Sequence, residues 1–420
     1  MSLSVELTGL QAAQTDLDTI GNNIANVGTV GFKGSTPNFS DIYGASLLGS
    51  AGTGVSPGQG VSTNSLSQLF TEGTISQTGN PMDVAINGNG FFQVSTPSGI
   101  AYTRDGSLQM NSQGYLTNDT GALIMGYAPT SASTTAPSSG ASTGALGTIQ
   151  ISEANIPATA TSSLTLNVSL PSTDAAIDTT ATPFNVNNSA SYSQSTTTAV
   201  YDSLGTPDTL TTYFTKVSGS GTPDNWQTHW ELSNSSGSMI ASGSGATLAF
   251  NSSGELTAGS GTITVANPGD GAGALSIAQG FAGTTLSDLA FGVNSITNNG
   301  NGAGQFSGLE IGNNGDVVAQ YSNGATKTMG TIALANFVNP NGLSPISGNA
   351  WVATEASGPA ADNTPGAAGL GTLESGSLET SNVDLSTSLV NLIVAQQAYQ
   401  ANVQGINVDQ QDVQKLLQLQ

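Results

Sequence analysis

Apolar residues recur at helical spacing at both ends of the chain, and this pattern limits its possible folds more than any other feature. The N-terminal set comprises Leu3, Leu7, Leu10, Leu17 and Ile24. The C-terminal set comprises Leu385, Leu389, Leu392, Tyr399, Val403, Ile406, Val413 and Leu417. Spacings of three, four and seven residues place each set on one helical face, and a seven-residue period favours a supercoiled seam. We therefore predict two terminal helices whose apolar seams pack against other helices.

The seams could be covered within one molecule or by neighbouring copies. An ordinary amphipathic helix would pack on its own domain, but flexible Gly-, Ala- and Pro-containing segments at 34–67 and 355–371 separate both helices from the rest of the chain. A helix without such packing is only marginally stable. We therefore expect burial mainly against other copies. Gly21 lies on the N-terminal seam, where its missing side chain would let another helix approach closely, unless it merely weakens the helix.

The composition between the two ends indicates β-structure and excludes one class of partner. Only 8% of the residues are charged, and there are 54 glycines, which suits short strands and tight turns. Lys and Arg total 5 against 27 Asp and Glu, so the formal net charge is −22. Such a surface repels phosphate backbones. We expect a mainly β protein with α-helical termini that binds no nucleic acid.

The chain contains no cysteine, which is compatible with an exported protein that lacks disulfides. Its first basic residue is Lys33, so the N-terminus does not have the basic start of an ordinary secretory signal. No run of apolar residues reaches the length of a membrane-spanning helix. We expect no membrane insertion and, if the protein is exported, a route other than the general secretory one.

Turn signals and alternating apolar residues predict several strands. Asn87-Gly88 between 82–86 and 91–95 predicts a hairpin, and Asn314-Gly315 and Asn323-Gly324 predict two further turns. Other strands are predicted at 164–170, 198–201, 209–215, 228–232 and 331–337.

Pairing of the terminal helices would make the chain run outward and return through the same layers. On that basis we predict a helical core domain formed by residues 1–33 and 372–420, followed by a linker or arm at 34–67. An inner β domain would combine 68–146 with 282–366, and an outer β domain would occupy 147–281.

Catalytic and metal-binding patterns are weak. Residues 140–144 match G-x-S-x-G but lie in a Ser/Thr/Gly tract without the flanking strand and helix of a nucleophile elbow. The only histidine, His229, lies in a predicted strand, and Gly88-Asn89-Gly90 lacks the third glycine of a dinucleotide site. A zinc site has almost no available ligands. A glycosidase-type carboxylate pair stays open, but no catalytic, cofactor or metal residue is predicted.

Three long motifs resemble the bacterial flagellar rod and hook proteins. They are ANVGTVGFK at 25–33, TGNPMDVAINGNGFFQV at 78–94 followed by YTRDG, and SNVDLSTSLVNLIVAQQAYQANVQGI at 381–406. The motif residues that we single out are Ala25, Asn26, Gly31, Phe32, Lys33, Asp83, Gly88, Gly90, Phe91 and Phe92. AVYDSLGTPDTLTTYF at 199–214 resembles the outer domain that hook proteins carry and distal rod proteins lack. The resemblance therefore favours the hook proteins.

The resemblance implies a structural subunit and not an enzyme. Many copies would form a curved, flexible tube that joins rod to filament as a universal joint, with the terminal helices as a coiled-coil core and the β domains stacked outward. It also implies contacts with rod, hook cap and hook–filament junction proteins, and export through the flagellar type III apparatus to an extracellular position. The alternatives are a distal rod or other axial protein and, more remotely, a secreted β-rich adhesin or enzyme.

Overall fold

The computed structural model describes residues 3–42, 59–129, 145–218, 225–269 and 271–418. The chain divides into two compact units. The first, here called the terminal unit, contains residues 1–153, 308–319 and 326–420, and the second, the inserted unit, contains 154–307 and 320–325. The chain has the predicted mainly β fold with helical termini. The division into a helical core, an inner domain and an outer domain stays a prediction.

Two helices lie at the ends of the chain, as the heptad pattern predicts: α1 (Leu3–Ala25) and α2 (Leu385–Gln418). The start of α2 is defined by Asp384, whose carboxylate Oδ1 accepts the backbone N–H of Thr387 at 2.6 Å. This is the hydrogen bond of an N-cap residue. The Thr387 hydroxyl and the Thr387 backbone N–H both bond to the carboxylate, and these bonds lower the pKa of Asp384 because they favour the ionised form.

The strands of the terminal unit come from both halves of the chain. In the first half, β1 to β10 are Ser35–Asp41, Val61–Gln68, Ile75–Gln77, Val84–Asn87, Phe91–Thr96, Gly99–Thr103, Leu108–Met110, Leu116–Asn118, Leu123–Tyr127 and Leu146–Thr148. The inserted unit then contributes β11 to β20, which are Ser163–Pro171, Gln194–Tyr201, Pro207–Lys216, Trp226–Ser233, Met239–Phe250, Leu256–Ala258, Ser260–Val265, Leu275–Gly280, Thr285–Ser287 and Gly292–Asn298. The remaining strands, β21 to β29, are Phe306–Ile311, Asp316–Tyr321, Thr326–Ile332, Leu334–Asn336, Ser344–Ile346, Ala350–Val352, Ala361–Asn363, Thr372–Ser375 and Ser377–Glu379.

Late strands pair with early ones in the terminal unit. The main sheet has the order β21-β22-β23-β9-β5-β6-β26-β25, while β28 pairs with β4 and β29 with β3. The pair β29–β3 places Glu379 opposite Ile75. This interleaving brings the segment before α2 next to strands that follow α1. Separately, β1 and β2, which lie in the segment predicted to be an extended arm, form an antiparallel pair of their own.

The hairpin predicted around Asn87-Gly88 is wrong. Strand β4 pairs with β28, and β5 pairs with β6, β9 and β24, so the two strands flanking this turn have different partners. Gly88 and Gly90 have φ angles of 110° and 127°, outside the left-handed helical values of a tight hairpin turn. The turns at Asn314-Gly315 and Asn323-Gly324 are confirmed, with positive φ at both glycines.

The inserted unit has two five-stranded sheets around one apolar core. One sheet has the order β12-β13-β14-β15-β16, and the other combines β17-β18-β11-β19 with β20 paired to β11. Strict alternation in β14 points every second residue into the core, which confirms the predicted strand at 228–232. The core includes Trp226, Phe214 and Phe281, each at most 1% exposed.

Candidate self-assembly surface

The two terminal helices lie side by side and run antiparallel. A Cβ atom added at Gly9 would lie 3.0 Å from Oδ1 of Asn402, and one at Gly405 would lie 2.8 Å from Oε1 of Glu6. Going from Glu6 to Gly9 along α1, the facing residue on α2 changes from Gly405 to Asn402. Residue numbers thus increase along one helix and decrease along the other, as they do in an antiparallel pair. At both places the polar end of a side chain on one helix occupies the space above a glycine of the other helix. The hypothesis that Gly21 has this role finds no support within one chain, because nothing lies within 4 Å of its added Cβ.

The helix pair buries little apolar surface. Its buried side chains are Ala13, Ile20 and Ala395, together with the polar Thr19 and Glu6. The carboxylate atom Oε2 of Glu6 has no hydrogen-bond partner among the described residues. Seven of the predicted seam residues are only partly covered: Leu10, Leu17, Ile24, Leu392, Tyr399, Val403 and Ile406. Within one chain, the contact between the two helices therefore buries mainly small side chains and covers the predicted seam residues only in part.

A second apolar face is left open on the helices. The predicted seam residues Leu7, Leu385, Leu389 and Val413 are 44–56% exposed. Next to them on α2 are four further apolar side chains that are 53–60% exposed, namely Val390, Ile393, Val394 and Val408. The side chains of Leu3 and Leu417 lie outside the described set. The role of all thirteen seam residues in assembly stays a prediction.

The open face is also nearly free of charge. In the 34 residues of α2 the only ionisable acids and bases besides Tyr399 are Asp409, Asp412 and Lys415. Several exposed apolar side chains on one helix are typical of protein–protein contact sites. In a chain with a net charge of −22, α2 therefore carries few carboxylates that would oppose contact between copies.

A buried ionic triad joins three distant parts of the sequence. The Glu379 carboxylate lies 2.5 Å from Nζ of Lys33 and 3.0 Å from Nη1 of Arg104. It also accepts the backbone N–H of Gly73 at 2.8 Å. All three charged residues are at most 4% exposed. Since isolated buried charges are strongly unfavourable, the three side chains depend on one another.

Other hydrogen bonds on the two cations extend the triad into the surrounding strands. Lys33 donates to the carbonyl oxygen of Thr71 at 2.7 Å, and Nη2 of Arg104 donates to that of Gly88 at 2.8 Å. The Arg104 guanidinium also lies 5.5 Å from the ring centre of Phe91. Burial lowers the pKa of Lys33, although the neighbouring Glu379 carboxylate opposes this by favouring the ammonium form.

Backbone contacts surround the triad. The N–H of Gly31 donates to the carbonyl oxygen of Glu379 at 2.7 Å. Gly31 has a φ of 65°, and a Cβ there would lie 2.6 Å from the carbonyl carbon of Arg104, so both conformation and space require glycine. Asn382 accepts the N–H of Gly34 and donates to the carbonyl oxygens of Leu69 and Thr71.

The other motif residues lie around this region with structural contacts. Asp83 accepts the N–H of Gly376 through its carbonyl oxygen at 2.8 Å, and Phe92 is fully buried. Phe91 packs in an aromatic cluster with Phe70, Phe337 and Trp351, with ring centres 5.6–6.0 Å away. At the end of α1, Ala25 is exposed and Asn26 accepts the Thr29 hydroxyl at 3.1 Å. Phe32 is half-buried, and Gly90 would meet Leu370 if it carried a Cβ.

Sequence reasoning missed two residues of this region. Arg104 lies within the quoted YTRDG motif but was not singled out, and neither was Glu379. A signal was present, because Lys33 and Arg104 are two of the five basic residues in the chain. A buried cation needs a carboxylate, but the sequence does not indicate which of 27 acidic residues supplies it.

The single histidine of the chain takes part in ring stacking. His229 stacks on Phe184 with ring centres 4.1 Å apart, and burial lowers the pKa of its imidazole. The G-x-S-x-G segment at 140–144 lies outside the described residues. In the part of the chain that is described, no group of three or more His, Cys, Asp or Glu side chains could hold a metal ion. Across those same ranges, neither helix combines the length and apolarity needed to cross a membrane.

Four family models match the chain. They are "Flagella basal body rod protein" at residues 3–33, "Flagellar hook protein FlgE/F/G D1 domain" at 85–189, "Flagellar basal body protein FlaE D2 domain" at 166–301 and "Flagellar basal body rod FlgEFG protein C-terminal" at 374–419. A crystal structure of the Helicobacter pylori flagellar hook protein FlgE2 shares the fold, with a TM-score of 0.54 at 14% identity, covering 73% of this chain and 100% of that one.

Curated relatives match over the full length. The chain is 36% identical to the flagellar hook protein FlgE of Escherichia coli (strain K12) and 37% identical to that of Salmonella typhimurium (strain LT2), with 100% of each chain covered in both comparisons. It is 30% identical to the flagellar hook protein FlgE of Borreliella burgdorferi, over 100% of this chain and 99% of the relative. The chain therefore belongs to the flagellar hook protein FlgE family.

Proposed function

We propose that this chain is the structural subunit of a flagellar hook and has no enzymatic activity. Many copies assemble through the terminal helices into a curved helical tube, which transmits torque from rod to filament. The observation that carries the proposal is the open apolar face of α2, in a chain that is related to hook proteins over its whole length. A face that one molecule leaves exposed is suited to contact with the next.

The energetics favour burial of that face between copies. Removing apolar surface from water is worth about 25 cal/mol per Å², so several half-exposed Leu, Ile and Val side chains per subunit add up to a few kcal/mol. A head-to-tail interface that does not close on itself generates a tube or filament. In such a helical array the same contact is repeated at every subunit. Weak single contacts therefore suffice for a stable polymer.

Flexibility would come from the inserted unit. Lys216 is the only lysine or arginine in its sequence, and its Nζ donates to the carbonyl oxygens of Ser172 and Asp174 in the same unit. Few ion pairs are then available to hold neighbouring inserted units in one register. We infer that these surfaces slide past each other as the tube bends, which is what a universal joint requires.

The proposed partners and location follow from the same assembly. The subunit would contact many copies of itself, the rod at one end, a hook cap during growth and hook–filament junction proteins at the other end. Its place is the extracellular hook, reached through the flagellar type III export apparatus.

A distal rod or other axial subunit is the second candidate, because the models matching both chain ends are described as rod proteins. Deleting the outer block at 147–281 distinguishes the two. A rod subunit would still assemble and function in cells without this block, whereas a hook subunit would give a tube with altered curvature and impaired swimming.

The direct test is electron microscopy of the purified protein under polymerising conditions. We expect tubes from the wild type, and none at the same concentration from the double variant Ile393→Ser, Val394→Ser. Val338→Ser is the matched control, since Val338 is 94% exposed but lies outside the helices. The proposal is wrong if the double variant polymerises like the wild type.

A further inference from the structure

The buried triad lies where both terminal helices meet the strands of the terminal unit. Lys33 follows the end of α1 at Ala25, and Glu379 precedes the start of α2 at Leu385. Arg104 follows β6 and is held by the carbonyl oxygen of Gly88. One carboxylate thus receives donors from the segment after α1, from Gly73 and from the segment after β6.

The chemistry of this contact differs from that of the apolar cores. The hydrophobic effect is non-directional, so apolar burial by itself specifies no particular orientation of two segments. Charge-assisted hydrogen bonds are short and directional, and three of them on one carboxylate hold the relative positions of three segments. Replacing a buried ion cluster by apolar residues of similar volume is often neutral for stability, so the triad contributes geometry more than stability.

We propose that the Lys33–Glu379–Arg104 triad is a mechanical clasp that fixes the terminal helices to the strands of the terminal unit and transmits force between them. The inference rests on the proposed function, since force reaches the helices only in an assembled tube. In that tube the helices are held by neighbouring copies. Load applied to the strands therefore passes into the helical wall through residues 31–34 and 377–382, which flank the triad.

The test replaces the triad by apolar residues of similar size: Lys33→Met, Arg104→Met and Glu379→Leu together. We expect a melting temperature within a few degrees of the wild type. Amide hydrogen exchange at 29–34 and 377–383 should be at least ten-fold faster in the isolated subunit, with exchange in β5, β6 and β9 unchanged. Tubes of the variant should bend more easily, with a persistence length at least two-fold shorter by analysis of thermal shape fluctuations.

The matched control is the pair Lys327→Met and Glu374→Leu, which removes one cation and one carboxylate from half-buried positions of the same unit outside the triad. It should change neither local exchange nor tube stiffness. If the triple variant does not fold, Glu379→Gln keeps the shape of the side chain and removes its charge. That variant should show the same local increase in exchange, while Glu374→Gln should not.

Two outcomes would overturn the clasp. One is wild-type exchange and stiffness in the triple variant. The other is a uniform increase in exchange with a lowered melting temperature, which would show a general contribution to stability only. If the wild type forms no tubes, the proposed function fails, but local exchange in the isolated subunit still decides whether the triad holds the helix junctions.

Discussion

The inserted unit and the terminal helix pair obtain their burial in opposite ways. The inserted unit has a continuous core of large side chains that are almost fully buried within the chain, including Leu166, Phe214 and Trp226. The helix pair buries two alanines and one isoleucine, and leaves larger apolar residues such as Ile393 and Val394 more than half exposed. One region buries its large apolar side chains within the chain, and the other leaves them exposed.

The difference has a geometric cause. In the inserted unit, alternation along each strand points every second side chain at the facing sheet, so two sheets cover each other. In the helix pair, the polar ends of Asn402 and Glu6 fill the space above Gly9 and Gly405, so these contacts bury polar atoms and not large apolar side chains. Low charge on α2 makes its open apolar face compatible with helix–helix contacts.

The largest expected effect is in the inserted core. Trp226→Ala should destabilise the inserted unit by about 3–5 kcal/mol, because the side chain is fully buried and leaves a cavity. Urea unfolding followed by circular dichroism would measure this, with hydrogen exchange in α1 and α2 expected to stay unchanged. Met239→Ala, at a position that is 56% exposed on β15, is the control and should cost less than about 0.5 kcal/mol. A small effect of Trp226→Ala would remove the contrast between the regions.

An intermediate effect is expected at a glycine of the inserted unit. Gly254 has a φ of 79°, and an added Cβ would lie 2.1 Å from the carbonyl oxygen of Leu286. Gly254→Ala should therefore destabilise this unit by about 1–3 kcal/mol, as an overpacked site does. The same urea titration measures it, and Gly237→Ala is the control, since Gly237 also has positive φ but nothing within 4 Å. If both variants lost the same free energy of unfolding, the backbone strain of a positive φ would be the cause, and not the steric clash with Leu286.

A glycine in the helix pair should behave in the opposite way. Gly405→Ala places a methyl group 2.8 Å from Oε1 of Glu6, the far end of a flexible side chain that can move aside. Because alanine favours the helix by about 1 kcal/mol over glycine, the isolated subunit should be stabilised by up to that amount. Slower hydrogen exchange in α2 would show it. Marked loss of helix protection would mean that the helix pair is as tightly packed as the inserted core.

The smallest effect concerns pH and His229 in the inserted unit. Burial lowers the pKa of this imidazole below its ordinary value of 6.5, so the unfolded chain binds the proton more readily. Above about pH 6.5 His229 is neutral in both states and does not reduce the free energy of unfolding of the inserted unit. As the pH drops below that value, the unfolded chain takes up the proton first, and this free energy falls. Urea unfolding at pH 7.5 and 5.5 should show a weaker pH dependence for His229→Gln than for the wild type. Identical pH dependence would contradict the assignment.

The elements of the fold followed from local patterns, whereas several pairings did not. The heptad spacing of Leu385 and Leu392 predicts α2, and alternation around Trp230 predicts β14, because each pattern reports which face of an element avoids water. The partner of β4 was mispredicted because a local Asn-Gly turn competes with β28, which lies nearly 300 residues later and has no local signal.

The sequence by itself determined the terminal helices, the β-rich middle and the resemblance to flagellar rod and hook proteins, since periodicity, turn residues and long motifs are local properties. Only the tertiary structure decided which carboxylate meets Lys33 and Arg104, and which side of each seam is already covered within the chain. Both depend on contacts between residues far apart in sequence, such as Glu379 with Lys33 and Glu6 with Gly405. Such contacts are selected by the packing of the whole unit, and no single segment encodes them.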